Sequence, residues 1–319
     1  MLIGAAIASA QSGTATSASA LYTVDVNGHV VRDAAYVARN GDKTQLKQSV
    51  NGQEVPLESS EVHILTDTPS HRVTETIVRR YDPTGRSAAT ERTVTDEAIA
   101  ATGSTLRAAT YRSDVNGAMV EAERRVVESH VQGANTNAQV TISRPGFNGS
   151  FEPAEKRNVV TVTAGDSIRS TEEIERPSGN GNQFVAASRV VTEEKKTADK
   201  TTSSTALYEL DSLGRMALSR QDVSTTTKAG IGREVTELNT YAPSIYGVAR
   251  DQDPTPKLRE QQTIVREEKN GVVTATTQLR RPSLQDPNRL SDASVISTLE
   301  CTGACKDSLK APAAAPAKP

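Results

Sequence analysis

The sequence predicts an all-β fold: an antiparallel meander of long β-hairpins, each unit about 32 residues and two strands long. Three observations predict it. Glycines in turn-like contexts recur at a near-constant interval. Arginine and valine series keep the same interval. The composition, with no Trp and only 3% aromatic residues, suits a thin pleated layer rather than a thick core.

The glycines come first. Gly52, Gly85, Gly117, Gly149, Gly181, Gly214 and Gly247 are separated by 33, 32, 32, 32, 33 and 33 residues. Four of them follow Asn, at Asn51-Gly52, Asn116-Gly117, Asn148-Gly149 and Asn180-Gly181. Asn-Gly supplies the positive φ angles that a tight primed turn requires. A second set of turns falls midway, at Gly103, Gly133, Gly165, Gly230 and Gly271, with Pro69-Ser70 and Ala198-Asp199 in equivalent places. One turn about every 16 residues leaves strands of about 10–12, long beside the usual five or six.

Side chains keep the beat. Arg80, Arg112, Arg144 and Arg176 precede successive glycine turns at intervals of 32, and Arg92, Arg125, Arg157 and Arg189 follow them. Val94, Val127, Val159 and Val191 lie two residues beyond the second series. Segments such as 158–163 and 263–268 are rich in Val, Thr and Ile, as pleated surfaces favour. In residues 86–100 neither parity is strongly apolar. Such a sheet meets water on parts of both faces and is held by cross-strand pairs. Helical signals are scarce, and little helix is expected.

Consecutive short turns make neighbouring strands antiparallel. About seven units between residues 22 and 299 give about 14 strands. A sheet of that size tends to curl, split or close. The thin composition points to an extended or curled sheet, with a closed barrel or sandwich as the alternative. An outer-membrane barrel is disfavoured, because it wants aromatic girdles and an apolar lipid-facing band, whereas charges here occur on both strand parities. The unit blurs at both ends: Gly28 and Gly52 are only 24 apart, and residues 251–257 read as an insertion.

The termini suggest export. Residues 1–10 form a short apolar run ending Ala8-Ser9-Ala10, the small-x-small pattern of a cleaved signal peptide. Residues 11–20 read as a disordered leader, 21–299 as a single β-repeat domain, and 300–319 as a Cys loop with a Pro/Ala-rich tail. Cys301 and Cys305 are read first as a small disulfide loop. Metal ligation would need two more ligands, and a redox pair would want Cys-x-x-Cys. No stretch approaches the length of a membrane-spanning helix.

Tyr81-Asp82-Pro83-Thr84-Gly85-Arg86 resembles the Tyr-Asp-x-x-Gly-Arg core of YD-repeat (RHS-type) bacterial proteins, with looser versions at residues 208–215 and 111–117. The resemblance implies a secreted or surface-exposed β-meander that serves as a scaffold or encasing shell.

Chemistry is hard to find. His29, His63, His71 and His130 do not share metal-ligand spacing, and there is no nucleophile elbow or phosphate loop. Asp251, Asp253 and Asp286 sit in loops with a weak calcium signal only. Glu172, Glu173, Glu193 and Glu194 read as halves of cross-strand charge pairs. No catalytic residue, metal or cofactor is expected. With 37 basic and 39 acidic residues the chain lacks the basic balance of a nucleic-acid binder. The one candidate binding feature is the row Arg80, Arg112, Arg144 and Arg176. Aligned on one side of the sheet, it would present cations about 10 Å apart. Such a row suits an acidic cell-surface polysaccharide or an envelope protein, unless each Arg is matched by a neighbouring Glu. The expectation is an exported, non-enzymatic structural or interaction protein of the bacterial envelope, periplasm or exterior, or else a binding module for polyanionic glycan.

Overall fold

The computed structural model describes residues 16–24, 30–40, 42–50, 53–179, 183–243, 256–283 and 289–303. These form an 18-stranded sheet. Its first six strands are β1 (Thr16–Val24), β2 (Val30–Asn40), β3 (Lys43–Val50), β4 (Gln53–Thr68), β5 (His71–Tyr81) and β6 (Ser87–Ala100). The middle six are β7 (Gly103–Ser113), β8 (Met119–Gln132), β9 (Asn135–Pro145), β10 (Phe151–Ala164), β11 (Ser167–Pro177) and β12 (Phe184–Lys196). The last six are β13 (Lys200–Leu210), β14 (Met216–Lys228), β15 (Arg233–Ala242), β16 (Lys257–Lys269), β17 (Val272–Arg280) and β18 (Ser294–Gly303). Among the described residues there is no helix.

Each strand pairs antiparallel with the next, as the hairpin meander requires. The first strand also meets the last: residues 17–23 of β1 lie against 297–303 of β18. The sheet therefore closes on itself, so of the two expected forms it takes the barrel. Among the described strands, closure leaves no edge to template association.

The expected 14 strands become eighteen because the chain outside the clear repeat also forms hairpins. β1 to β3 occupy the stretch where the glycine spacing is short, and β16 to β18 follow the insertion. β1 begins at Thr16, inside the stretch read as a leader, and β18 runs to Gly303, past Cys301. Pairing on both sides orders these strands despite their weak sequence signal. The signal-peptide run and the Pro/Ala tail lie outside the described residues.

The turns at one end share a construction. In the β5–β6 turn, Asp82 N–H donates to Arg86 O (2.9 Å), and Gly85 N–H donates to Asp82 O (2.9 Å). The Asp82 carboxylate accepts from the N–H groups of Thr84 (2.9 Å) and Arg86 (3.0 Å). Asp114 and Asp211 repeat this in the β7–β8 and β13–β14 turns. Hydrogen bonds to Thr84, then to the Arg86 backbone, hold the Asp82 carboxyl below its ordinary pKa. The glycine alone takes positive φ, +81° at both Gly85 and Gly117. Asn116-Gly117 and Asn148-Gly149 are thus not the two-residue primed turns expected of Asn-Gly. Five-residue loops span them, and Asp114 or Asn148 does the bridging. The two-residue form occurs at Asn270 (φ 52°) and Gly271 (φ 77°). Asn51-Gly52 and Asn180-Gly181 lie outside the described residues.

The register divides the side chains between two faces. One carries Thr93, Leu106, Val127, Val140 and Val159. The other carries Ile77, Arg92, Tyr111, Val126 and Val160. The apolar clusters lie on the first face, and Ala206 is buried on the other. Val127, Ala138, Val140, Ile142 and Val159 form one cluster, and Val273 and Cys301 another. Hydroxyl pairs fill much of the rest, including Thr93 with Thr110, Thr192 with Thr205 and Thr226 with Thr236. Cys301 is buried and disulfide-bonded; Cys305 lies outside the described residues.

Candidate functional site

Arg80, Arg112, Arg144 and Arg176 lie near the ends of β5, β7, β9 and β11, just before the turns at one rim of the barrel. The register puts all four on the Val127 face. The hairpin geometry that places them also places a glutamate beside each. Arg80 pairs with Glu58 (3.3 Å), Arg112 with Glu91 (3.2 Å), Arg144 with Glu123 (3.0 Å) and Arg176 with Glu155 (3.2 Å). Arg281 and Glu260 repeat the motif at 3.0 Å. Over β4 to β11 the rim is therefore a row of alternating charge, minus then plus, strand by strand. Sequence reasoning singled out the arginines and allowed for a neighbouring Glu beside each, without naming which glutamates these are. The signal was present: Glu58, Glu91, Glu123 and Glu155 are themselves 33, 32 and 32 residues apart.

The arginine side chains are between 58% and 73% exposed. Each such pair contributes about 0–1 kcal/mol in high dielectric. Each arginine of the row thus has one carboxylate beside it.

Deeper in the wall the pairing tightens. Arg157, at mid-strand in β10, contacts both Glu155 (2.6 Å) and Glu172 (2.9 Å), and the two glutamates are buried. Burial pushes the Glu155 carboxyl up, but hydrogen bonds and attraction from Arg157, then Arg176, outweigh it, leaving it below its ordinary pKa. The other face carries pairs at the same depth: Arg92 with Glu75 (2.6 Å) and Arg189 with Glu173 (2.7 Å). Glu193 and Glu194 are likewise partnered, by Arg169 and Lys196.

The histidines do not converge. His71 Nε2 lies 3.0 Å from Asp96, and His63 lies 3.8 Å from Glu61. Among the described residues no group of three or more His, Cys, Asp or Glu side chains could hold a metal ion. His29, Asp251, Asp253 and Asp286 lie outside the described residues.

Fold and site together define a closed antiparallel β-barrel with polar, charge-paired walls. Solved structures that it resembles include mutants of a porin. A mutant of the Rh. blastica porin matches with a TM-score of 0.55 at 6% identity, covering 91% of this chain and 98% of that one. A triple mutant of the Rhodopseudomonas blastica porin matches with a TM-score of 0.54 at 7% identity, with the same coverage. At such identities the likeness is one of fold. No family model and no curated protein matches the chain.

Proposed function

We propose that this chain is a non-enzymatic structural or interaction protein of the bacterial envelope or exterior, with a barrel wall that stands in water rather than in lipid. The observation that carries this reading is the pair of mid-strand ion pairs on opposite faces, Arg157 with Glu172 and Arg92 with Glu75. Whichever face points outwards, its middle bears charge. A lipid-facing wall disfavours Arg or Lys at mid-depth by about 2–4 kcal/mol per residue. The porin-like fold and the apolar run at residues 1–10 support an exported barrel. The scaffold role implied by the YD-repeat resemblance fits the same picture. The paired arginine row favours structure over polyanion capture.

The purified full chain is expected to stay folded and dispersed in buffer without detergent, and to give no stepwise conductance in planar bilayers. A requirement for detergent, or conductance, would overturn the proposal. N-terminal sequencing of protein from native cells tests export separately: retention of Met1 contradicts it.

A further inference from the structure

We infer that the rim formed by the β5–β6, β7–β8 and β9–β10 turns docks against a lipid surface through apolar residues at the turn tips. Pro83, Val115 and Phe147 hold the same position in successive turns, each one residue after the turn's first, and are 32 residues apart. Val115 and Phe147 are fully exposed, at 101% and 114%, and Leu213 in the later turn at this rim is 68% exposed. The turn backbones behind them are already satisfied. Gly117 N–H donates to Asp114 O, Asn116 N–H to the Asp114 carboxylate, and Gly149 N–H to Gly146 O. A tip entering an apolar layer therefore strands few donors.

The geometry selects lipid over protein. The tips stand on separate hairpins about 10 Å apart, two strand spacings. A Phe buries at most roughly 250 Å². A few isolated tips fall far short of the roughly 800 Å² per partner that a stable protein interface needs. A fluid headgroup layer accepts separated points without a matched groove. Charge contributes little. Arg80 and Arg112 are matched by Glu58 and Glu91, and the Asp82 carboxyl, held low by Thr84 and the Arg86 backbone, stays ionised behind the first tip. Docking is thus driven by apolar insertion, and a zwitterionic surface suffices.

Flotation of the full chain with neutral phosphatidylcholine vesicles tests this without reference to the cell compartment. The chain is expected to float with the vesicles and to do so equally in high salt. A Val115→Ser, Phe147→Ser double variant should partition roughly tenfold or more weakly. Its circular dichroism and melting curve should be unchanged, since neither side chain packs on the fold. Ile231→Ser serves as the control, because Ile231 is 107% exposed at the opposite rim; it should float like the parent. The inference fails if the parent chain does not float, if the double variant floats as well as the parent, or if Ile231→Ser loses binding equally. It also fails if binding needs anionic lipid and vanishes in salt, or if the tips instead join two copies, seen as a dimer in sedimentation that the double variant loses. Failure of flotation with the chain still dispersed and non-conducting would leave the proposed function standing.

Discussion

At the scale of single residues, the glycines of this chain look alike in sequence and do different work. Gly117 is required by its backbone angle, φ +81°, and a Cβ there would meet nothing within 4 Å. Gly103, the first residue of β7, is required by proximity: a Cβ there would lie 1.9 Å from the Ser129 carbonyl oxygen. Gly117→Ala should therefore cost about 1–2 kcal/mol, the strain of a left-handed L-residue. Gly103→Ala should cost more, because β7 and β8 must part to admit the methyl group. Urea midpoints of the two variants check the order, and the reverse order would contradict the close approach. The spacing of both glycines was legible in the sequence. Which constraint each answers to was not, since proximity depends on the partner strand.

At the scale of strands, a spacing difference of one residue decides which face a repeated side chain occupies. Arg92 and Arg125 belong to one series but are 33 apart, and they fall on opposite faces. Arg157 stays with Arg125, and Arg189 returns to the Arg92 face because six residues separate β11 from β12 where five separate the strands of the three earlier hairpins; the one-residue register shift is common to all four. Val127 and Val159 are buried as a result, while Val94 and Val191 are only half-buried. The periods were readable; the parity was not, because it depends on where each strand begins after its turn, five residues before Arg92 and Arg189 and six before Arg125 and Arg157. The energetic consequence is testable. Arg157→Met leaves Glu155 and Glu172 buried without their shared partner and should cost about 3–5 kcal/mol. Arg80→Met, at the exposed end of the same face, should cost about 0–1 kcal/mol. Equal shifts in thermal denaturation would refute the distinction between wall and rim.

At the scale of the whole molecule, the meander was visible in the sequence and the closure was not. Turn spacing reports neighbours along the chain, whereas closure depends on β1 meeting β18 across the full length of the domain. No local pattern in residues 16–24 announces that partner. Deleting residues 1–24 removes one strand and exposes the open sides of β2 and β18. The shortened chain should associate through them, as unpaired edges do, whereas the full chain should not. Light scattering distinguishes the two, and a truncated chain that remained monomeric would show that the β1 seam is dispensable.

That seam has one more consequence. Among the described strands every other pairing joins neighbours in the chain, so this contact carries a large loop-closure entropy. A wall of local hairpins can form early, but the ring cannot shut until its first and last members exist together. Once shut, the ring has no privileged beginning. The place where the chain starts is one of several equivalent cuts in a circle of hairpins, and a protein rewired to begin elsewhere would trace the same wall.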